Sequence, residues 1–374
     1  MTEQALESRP EAAGDGLPFV SVIMAVRNEE GYIGPCLQAL AQQDYPRESF
    51  EVIVLDGESS DGTMAEAQRA AQELGVPDAF LTNHKRTTAS GMNLGLSLAR
   101  GEIVIKVDGH TLVDPHFVSA SVRALRESGA DAVGGPIRTI GRGPLGQAIA
   151  LAVSSPFGVG DAAFRHSQQE QWTDSVAFGA YRRDVFERIG GFDEDADQGE
   201  DDEFNYRLRD AGGRILLTPA IGSVYYARSS YNALARQYWR YGVAKAGVLR
   251  KHPGRLRWRH LVPSTLVLTL LSLRVLAGFG SGFRRFHGLV VGAYAAFCAL
   301  ASLQIAIKGG HWRILPFIPL AFPAMHLPAG AGLLYGFLRQ RRGPEAEKPR
   351  LHGYYGKPRP QDEAGEKPPP HGDG

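Results

Sequence analysis

Short apolar runs alternate with longer amphipathic runs in the first part of the chain. Residues 19–26 and 51–55 have the length and β-branching of buried strands, and apolar side chains recur at helical spacing over residues 32–40 between them. A further helix over residues 89–100 leads into a strand over residues 102–107. Repeated strand–helix–strand units of this kind predict an α/β domain built on a parallel sheet.

Each of three predicted strands is followed by a polar side chain. Asn28, Asp56 and Asp108 stand at or just after the carboxyl ends of these strands. Ligands of such sheets bind beyond the carboxyl ends of the strands, so we expect the three side chains to converge on one pocket. Asp61 precedes the next predicted helix and is expected to cap it.

The chain changes character after about residue 258, where long apolar stretches begin. Residues 286–307 offer 22 positions without a formal charge, enough to cross a bilayer. Residues 261–279 qualify with one interruption, Arg274, whereas residues 314–338 carry four prolines and are expected to kink or to form a re-entrant hairpin. A buried helical domain of a soluble protein is the alternative, but three such stretches in succession favour a membrane anchor.

The composition therefore divides the chain into five parts. They are a polar lead at residues 1–17, the α/β domain at 18–230, an interfacial amphipathic helix at 231–258, transmembrane helices at 259–338 and a disordered tail at 339–374. The lead lacks the basic and apolar regions of a secretory signal, so we expect a multi-pass protein of the cell membrane whose α/β domain is cytoplasmic. Basic clusters at residues 255–259, 284–285 and 339–342 cannot all be cytoplasmic if every segment crosses once, whereas a hairpin would put the tail inside.

Charge and cysteine content exclude some classes of function. The 41 basic and 40 acidic residues leave a formal net charge of +1, so no overall field favours nucleic acid as a partner. Cys36 and Cys298 lie far apart and outside any Cys/His grouping, which argues against a disulfide framework or a thiolate metal site. Both are expected to be small apolar fillers.

The triplet Asp108-Gly109-His110 ends a predicted strand. A carboxylate two residues from an imidazole can place both side chains on one side of a turn, where they would hold Mg²⁺ or Mn²⁺ with a diphosphate completing the coordination. Taken alone, the triplet is more typical of a turn in which Asp108 caps a backbone amide. Its position at a strand end favours the metal site.

Four acids in a row, at residues 200–203, precede an amphipathic run and are expected in the first turn of a short helix. A carboxylate among other carboxylates has a raised pKa and suits a general base for an acceptor hydroxyl, although acids also compensate the dipole of a helix N-terminus. A phosphate-binding glycine loop is missing from the sequence near residue 28, so a sugar diphosphate would need the metal and a basic group such as Arg86.

In order along the chain, the segments SVIMAVRNEEGYI, VIVLDGESSDGT, ASGMNLGLSLARGEIVIKVDGH, FGAYRRDVFERIGGFDE and GEDDEFNYRLRDAGGRI resemble family 2 glycosyltransferases of the Rossmann-like GT-A fold. The D-x-H triplet, the run at residues 155–160 and SVYYARSS at residues 223–230 look most similar to the succinoglycan-type exopolysaccharide enzymes. The resemblance covers nearly all of residues 19–225. It implies a GT-A domain followed by a C-terminal transmembrane helical region.

The resemblance also implies roles for individual residues. Asp201 would be the catalytic base, Asp56 would contact the nucleotide base, Glu29 would line the nucleotide pocket, and Asp108 with His110 would serve the metal and diphosphate. The donor-binding set is Arg27, Asn28, Glu29, Asp56, Arg86, Asn93 and Asp108, and the acceptor-side set is Glu200, Asp202, Gln237 and Arg240.

Two departures from the family pattern matter. His110 replaces the second aspartate of D-x-D, which makes the site less anionic and favours Mn²⁺ somewhat. The run from Gln237 to Tyr241 is similar to the Q-x-x-R-W of processive synthases, but Tyr241 stands in place of tryptophan, and processivity is not predicted from it.

The expected function is transfer of a sugar, with inversion, from a nucleotide-sugar donor to a saccharide or lipid-linked acceptor in exopolysaccharide or cell-envelope glycan synthesis. A UDP-sugar is the preferred candidate for the donor. The metal would stabilise the departing nucleoside diphosphate. The alternative is a non-catalytic membrane scaffold that only binds nucleotide-sugar, but the chain retains all of the expected acids. A nucleotidyltransferase ranks last because it would need a triphosphate-binding glycine loop.

Overall fold

The computed structural model of the chain describes residues 16–160, 162–196 and 199–339. Most of the predicted polar lead and almost all of the predicted tail, residues 1–15 and 340–374, lie outside the described residues. The predictions for these two segments therefore stay predictions.

The described chain begins with alternating strands and helices and ends in four long helices. The strands are β1 Val20–Val26, β2 Phe50–Asp56, β3 Ala79–Thr82, β4 Ile103–Lys106, β5 Thr111–Val113, β6 Ala132–Gly134, β7 Ile137–Ile140, β8 Gln171–Thr173, β9 Ala180–Arg182, β10 Ile215–Leu217 and β11 Ser223–Tyr226. The α-helices are α1 Ile33–Ala41, α2 Thr63–Leu74, α3 Thr88–Leu98, α4 Phe117–Ser128, α5 Gly143–Val153, α6 Pro156–Val159, α7 Arg183–Ile189, α8 Glu200–Asp210, α9 Tyr231–Lys251, α10 Trp258–Leu276, α11 Ser281–Gly309 and α12 Ile318–Leu338.

The main sheet has eight strands in the order β3-β2-β1-β4-β9-β6-β10-β8. The first four strands of this order are parallel, and β1 pairs with β2 from Val20 opposite Phe50 to Val26 opposite Asp56. β9 is antiparallel to both of its neighbours, β4 and β6, and β8 is antiparallel to β10, so the expectation of a parallel sheet is wrong for these two strands. Parallel pairing is expected of neighbouring strands joined by a crossover helix, whereas the chain reaches β9 from β8, which is not its neighbour in the sheet.

Apolar layers cover both faces of the main sheet. Successive side chains of β1 point to opposite faces, so Val22 and Met24 pack in one cluster, with α1 and α4, while Ile23 packs in the other, with α3 and α8. Because both faces are covered, β1 and β2 are almost entirely buried and read in the sequence as continuous apolar runs. A smaller sheet, β5-β11-β7, lies beyond the carboxyl end of β4.

The C-terminal helices differ in part from expectation. α9 forms the helix predicted for residues 231–258 but ends at Lys251. Residues 318–338 form one continuous helix with Pro323 and Pro328 inside it, so the re-entrant hairpin is wrong. A proline removes one backbone hydrogen bond without reversing the chain, and α12 is held by neighbouring helices along its length.

Two described helical stretches, Ser281–Gly309 and Leu315–Leu338, are long and apolar enough to cross a membrane, judged by length and composition. The apolar part of α10, His260–Leu276, is shorter. The predicted crossing at residues 286–307 lies within α11. Cys36 and Cys298 are both buried free thiols in apolar clusters, as expected of fillers.

Candidate active site

The carboxyl ends of β1, β2 and β4 lie at one edge of the sheet. Asn28 follows β1 in the left-handed backbone region, with φ of 55°, and its backbone N–H donates to the Ser59 hydroxyl at 2.9 Å. That hydroxyl in turn donates to Asp56 Oδ1 at 2.6 Å. Asn28 and Asp56 are therefore joined through one serine at this edge of the sheet.

Asp108 and His110 follow β4 at the same edge and line one cavity. His110 Nδ1 is 2.9 Å from Glu29 Oε1, and the Glu29 backbone N–H donates to Thr63 Oγ1 at 2.7 Å. Burial alone would lower the pKa of His110, but the hydrogen bond to Glu29 and the charge of Asp108 outweigh burial and raise the pKa above its ordinary value. A backbone-anchored glutamate thus fixes the orientation of the imidazole.

The residues around Asp108 fit a two-ligand metal site. When His110 Nδ1–H donates to Glu29, Nε2 keeps its lone pair and can bind a cation beside the Asp108 carboxylate. Within the described ranges no group of three or more His, Cys, Asp or Glu side chains could hold a metal ion by itself. The protein would therefore supply two ligands, and oxygen atoms from elsewhere would complete the shell.

A buried lysine binds the acids at the start of α8. Lys106 Nζ lies 2.6 Å from both carboxylate oxygens of Asp201, 2.9 Å from Glu200 Oε1 and 3.8 Å from Asp108 Oδ1. Its side chain is 3% exposed, whereas that of Asp201 is 32% exposed and lines the cavity. One ammonium group therefore joins Asp108 to the predicted base.

This contact sets the protonation of both partners. Burial alone would lower the pKa of Lys106, but the charges of Asp201, Glu200 and Asp108 outweigh burial and hold the pKa well above its ordinary value. Burial raises the pKa of Asp201 to about 7, against the lowering effect of Lys106 and with a further rise from Glu200. A carboxylate that titrates near neutral pH suits proton acceptance from a hydroxyl.

The four acids predicted for the first turn of a helix are confirmed in the first turn of α8. They divide into two pairs. Glu200 and Asp201 bind Lys106, while Asp202 pairs with Lys245 of α9 and Glu203 with Arg207, 2.8 Å away. Asp202 thus ties α8 to α9, whereas the Glu203–Arg207 pair lies within α8.

A cavity of about 1190 Å³ opens beside Asp201. Asp108, His110 and the acids of α8 line one end, and apolar side chains of the C-terminal helices line the other. The apolar members include Val262, Leu266, Phe297, Met325 and Leu333. The cavity thus connects a charged site to the interior of the helical region.

Of the seven predicted donor-binding residues only Asp108 lines this cavity, and six lie outside the lining: Arg27, Asn28, Glu29, Asp56, Arg86 and Asn93. Arg27 is exposed and lies over Gly57, where a β-carbon would come within 3.3 Å of Arg27 Cβ. Arg86 Nε donates to Glu58 Oε2 at 2.5 Å, so the guanidinium assigned to the diphosphate is paired on the protein surface. Asn93 is buried away from solvent.

The buried carboxamide of Asn93 clamps the backbone of Phe192, accepting from its N–H at 2.8 Å and donating to its carbonyl at 2.9 Å. Direct donor contact by Asn93 is therefore not what this structure shows. The reason is that Asn93 sits inside α3, where it faces the loop after α7.

Gln237 and Arg240 line the cavity from α9. Gln237 Nε2 donates to the hydroxyls of Tyr225 at 2.9 Å and of Tyr241 at 2.8 Å. The ring of Tyr225 makes an edge contact with His110, 5.5 Å between centroids. Gln237 is thus coupled through one tyrosine to the predicted metal ligand.

Several cavity residues escaped prediction from the sequence. They are Lys106, Arg165, Arg228 and Lys245. The sequence does contain a signal for Lys106, because a lysine within an otherwise apolar buried strand must be paired with acids. Arg165 ends a short 3-10 helix and Arg228 follows β11, the central strand of the smaller sheet, and nothing in the local sequence marks either residue.

Comparison with known proteins shows which family the chain resembles. Residues 21–190 match the sequence model of glycosyl transferase family 2. The succinoglycan biosynthesis protein ExoA of Rhizobium meliloti is 29% identical over 86% of this chain and 96% of its own length. A dolichyl N-acetyl-alpha-D-glucosaminyl phosphate 3-beta-D-2,3-diacetamido-2,3-dideoxy-beta-D-glucuronosyltransferase of Methanococcus voltae is 28% identical over 78% of this chain and 88% of its own length.

A solved structure has the same fold. The mannosyltransferase PcManGT of Pyrobaculum calidifontis, determined in complex with GDP-Man and Mn²⁺, superposes with a TM-score of 0.58 at 22% identity, covering 85% of this chain and 88% of that one. The fold is therefore a GT-A-like mixed sheet followed by long apolar helices.

Proposed function

We propose, from the premise that this chain belongs to glycosyltransferase family 2 and transfers a sugar from a nucleotide-sugar, that the transfer is an inverting displacement with Asp201 as base. The observation that carries the proposal is the Asp201 carboxylate, which is open to the large cavity and joined through Lys106 to Asp108. A single base that activates the acceptor for direct attack inverts the anomeric centre.

The donor nucleotide would bind at the edge formed by β1 and β2. Asp56 is positioned by Ser59 to accept from a nucleobase, and Arg27, Asn28 and Glu29 border the same edge. We favour a UDP-sugar. Arg86 and Asn93 support this region through Glu58 and Phe192.

Asp108 and His110 would hold Mg²⁺ or Mn²⁺ against the donor diphosphate. When bound, the cation supplies Lewis-acid stabilisation of the negative charge that develops on the departing diphosphate. The PcManGT complex, which holds both a nucleotide-sugar and Mn²⁺, supports this proposal. Glu29 would keep the His110 ring oriented through its 2.9 Å hydrogen bond.

The protein's own part in the reaction is proton removal and alignment. Asp201 accepts the proton of the acceptor hydroxyl, and Lys106 holds both Asp201 oxygens at 2.6 Å so that the carboxylate keeps one orientation. Glu200 and Asp202 flank the base on the acceptor side, with Gln237 and Arg240 facing the same cavity from α9.

The shape of the cavity supports a lipid-linked acceptor. Its polar end contains Asp201 and the guanidinium groups of Arg165 and Arg228, and its apolar end lies among α10, α11 and α12. An acceptor with an anionic head and a hydrocarbon tail matches both ends. The names of the two relatives point to a dolichyl N-acetyl-alpha-D-glucosaminyl phosphate acceptor and to succinoglycan synthesis, so we propose a role in exopolysaccharide or envelope glycan synthesis at the cell membrane.

The test is release of nucleoside diphosphate by membrane fractions of cells that express the chain, across a panel of nucleotide-sugars with Mg²⁺ or Mn²⁺. Asp201→Asn should lose at least about 10²-fold in turnover, because general base catalysis contributes that much or more. Donor affinity should persist. Asp184→Asn, an exposed change on α7, is the matched control.

Full turnover by Asp201→Asn would remove the assigned base. Donor binding by the unchanged chain without turnover of any donor in the panel would favour the alternative, a non-catalytic membrane scaffold.

A further inference from the structure

Helix α9 is tied to the catalytic domain by side-chain contacts at several points, including the hydrogen bond from Gln237 to Tyr225. Four residues separate its start from the end of β11, and it is capped by the Ser230 hydroxyl, which accepts from the Ala233 N–H at 3.2 Å. In its middle Lys245 pairs with Asp202 of α8, and at its end Lys251 pairs with Asp193. α9 therefore lies across the face of the domain and cannot point away from it.

Helix α12 runs beside α9 in the same direction. Tyr231 bonds to the Phe317 carbonyl and Arg250 to the Gly336 carbonyl, and both pairs are separated by 86 residues. Glycines bring the two backbones together: a β-carbon at Gly242 would lie 2.3 Å from the carbonyl oxygen of α12 that it faces. The two helices thus form one tightly packed layer.

Helix α12 also contacts the catalytic domain itself. Phe322 packs edge-on against Phe157 of α6 at 4.8 Å, and His326 Nε2 is 3.0 Å from the Phe157 carbonyl oxygen. If α12 crossed a bilayer, α9 would have to enter the hydrocarbon with it. α9 carries five basic side chains, Arg236, Arg240, Lys245, Arg250 and Lys251, which makes that position costly.

Helices α10 and α11, unlike α9 and α12, present an extensive apolar surface that no other part of the described chain covers. Large apolar side chains on both are exposed, among them Leu268, Leu271, Val275, Phe286, Leu289 and Leu300. α10 has 19 residues and α11 has 29. At about 1.5 Å per residue these correspond to about 28 and 43 Å, against a hydrocarbon core of about 30 Å.

Charges lie where a hairpin of α10 and α11 would need them. Arg274, Arg284 and Arg285 flank the turn between the two helices, so their long side chains can reach the far headgroups. At the other end, α10 starts beside the catalytic domain, where Arg257 pairs with Asp174. Arg274 therefore sits at the far headgroups and does not interrupt the apolar core.

We propose that only α10 and α11 cross the bilayer, as a helical hairpin whose tip is the turn at residues 277–280, and that α12 stays on the catalytic side at the membrane interface. The occupant of the exposed α10 and α11 surfaces is lipid hydrocarbon. The inference rests on the proposed membrane attachment. The hairpin returns the chain to the catalytic side of the membrane, so Arg313 and Arg339 lie on the same side as the domain.

The test is labelling of single cysteines by a membrane-impermeant maleimide in spheroplasts, before and after lysis, on the background Cys36→Ala with Cys298→Ala. Gly280→Cys probes the tip, where a β-carbon meets no neighbour within 4 Å. Arg313→Cys and Arg339→Cys probe the two ends of α12. Asp184→Cys, an exposed position, marks the side of the catalytic domain.

The proposal expects position 280 to be labelled in intact spheroplasts and positions 313, 339 and 184 only after lysis. Three patterns would overturn it: labelling of 313 with protection of 280, meaning that α11 and α12 cross; labelling of both 280 and 339, meaning three crossings; and protection of every position, meaning none. Nucleoside diphosphate release by the same variants reports the proposed function separately. If alkaline carbonate extracts the chain from the membrane fraction, the proposed membrane attachment itself is wrong.

Discussion

Replacement of Lys106 by methionine removes an ammonium group that contacts Asp201, Glu200 and Asp108 while keeping most of the side-chain volume. The lysine is 3% exposed and Glu200 is 10% exposed, so water cannot take over the lost contacts. The variant would leave three carboxylates, those of Asp108, Glu200 and Asp201, around an apolar side chain.

The loss of one partner of a buried ion pair costs about 3–5 kcal/mol. The lower end applies here, because Asp201 is 32% exposed and keeps part of its hydration. For a domain of this size 1 kcal/mol corresponds to about 2–4 °C in melting temperature, so about 3 kcal/mol predicts a fall of roughly 6–12 °C. This is large enough to measure on the detergent-solubilised chain.

The fall should depend on pH. Without Lys106 the remaining carboxylates have pKa values raised above those of the unfolded chain, so the folded state binds more protons and loses stability as pH rises from about 4. The difference in melting temperature from the unchanged protein should therefore be larger at pH 8 than at pH 5. The pH dependence of activity should also change. With Lys106 present the pKa of Asp201 is raised to about 7, and without Lys106 it should rise further. The acid limb of the pH–rate profile should therefore move to higher pH.

Thermal unfolding followed by tryptophan fluorescence, at several pH values, measures both effects. Lys85→Met is the matched control, because Lys85 pairs with Glu194 at the surface and is 69% exposed. That change should cost less than about 1 kcal/mol at every pH. A Lys106→Met protein that melts like the unchanged chain, with the same rate profile, would refute the reasoning that Lys106 balances the charge of the site.

Three further changes test other parts of the molecule. Arg228→Gln should raise the KM for a lipid-phosphate acceptor about tenfold or more by removing one charge-assisted contact, while Arg236→Gln, outside the cavity lining, should not. Gly332→Leu should lower the melting temperature, because its β-carbon would meet a backbone oxygen of α9 at 2.4 Å; Gly288→Leu, with open space around it, should be neutral. Glu29→Gln should weaken Mn²⁺ activation of donor binding by about 10–100-fold, as measured by titration.

Sequence pattern alone predicts the donor half of this fold well, because its information is local. β1, β2 and β4 are short apolar runs with a polar residue beyond each, and their parallel pairing follows from the helices between them. The acids of α8 were also predictable, since a run of four acids before an amphipathic stretch is typical of a helix N-terminus.

The remainder depends on contacts between distant parts of the chain. Lys106 meets Asp201 across 95 residues, and the pairing exists only because antiparallel β9 brings α8 beside β4. Arg86 is a second example. The sequence around this arginine does not indicate that its guanidinium pairs with Glu58 in the fold and not with a phosphate. Helix α12 is similar, since its prolines suggest a break that its packing against α9 does not allow.

The surroundings of His110 explain why an imidazole stands where the family pattern has a second aspartate. Its Nδ1 faces the Glu29 carboxylate at 2.9 Å, and the Glu29 backbone is in turn bound to Thr63. An aspartate at position 110 would set two carboxylates against each other, close to Asp108, which itself shares Lys106 with two more acids. One ammonium cannot balance five carboxylates. A residue that donates to Glu29 and still offers a lone pair meets both demands, so His110 and Glu29 are best understood as one unit.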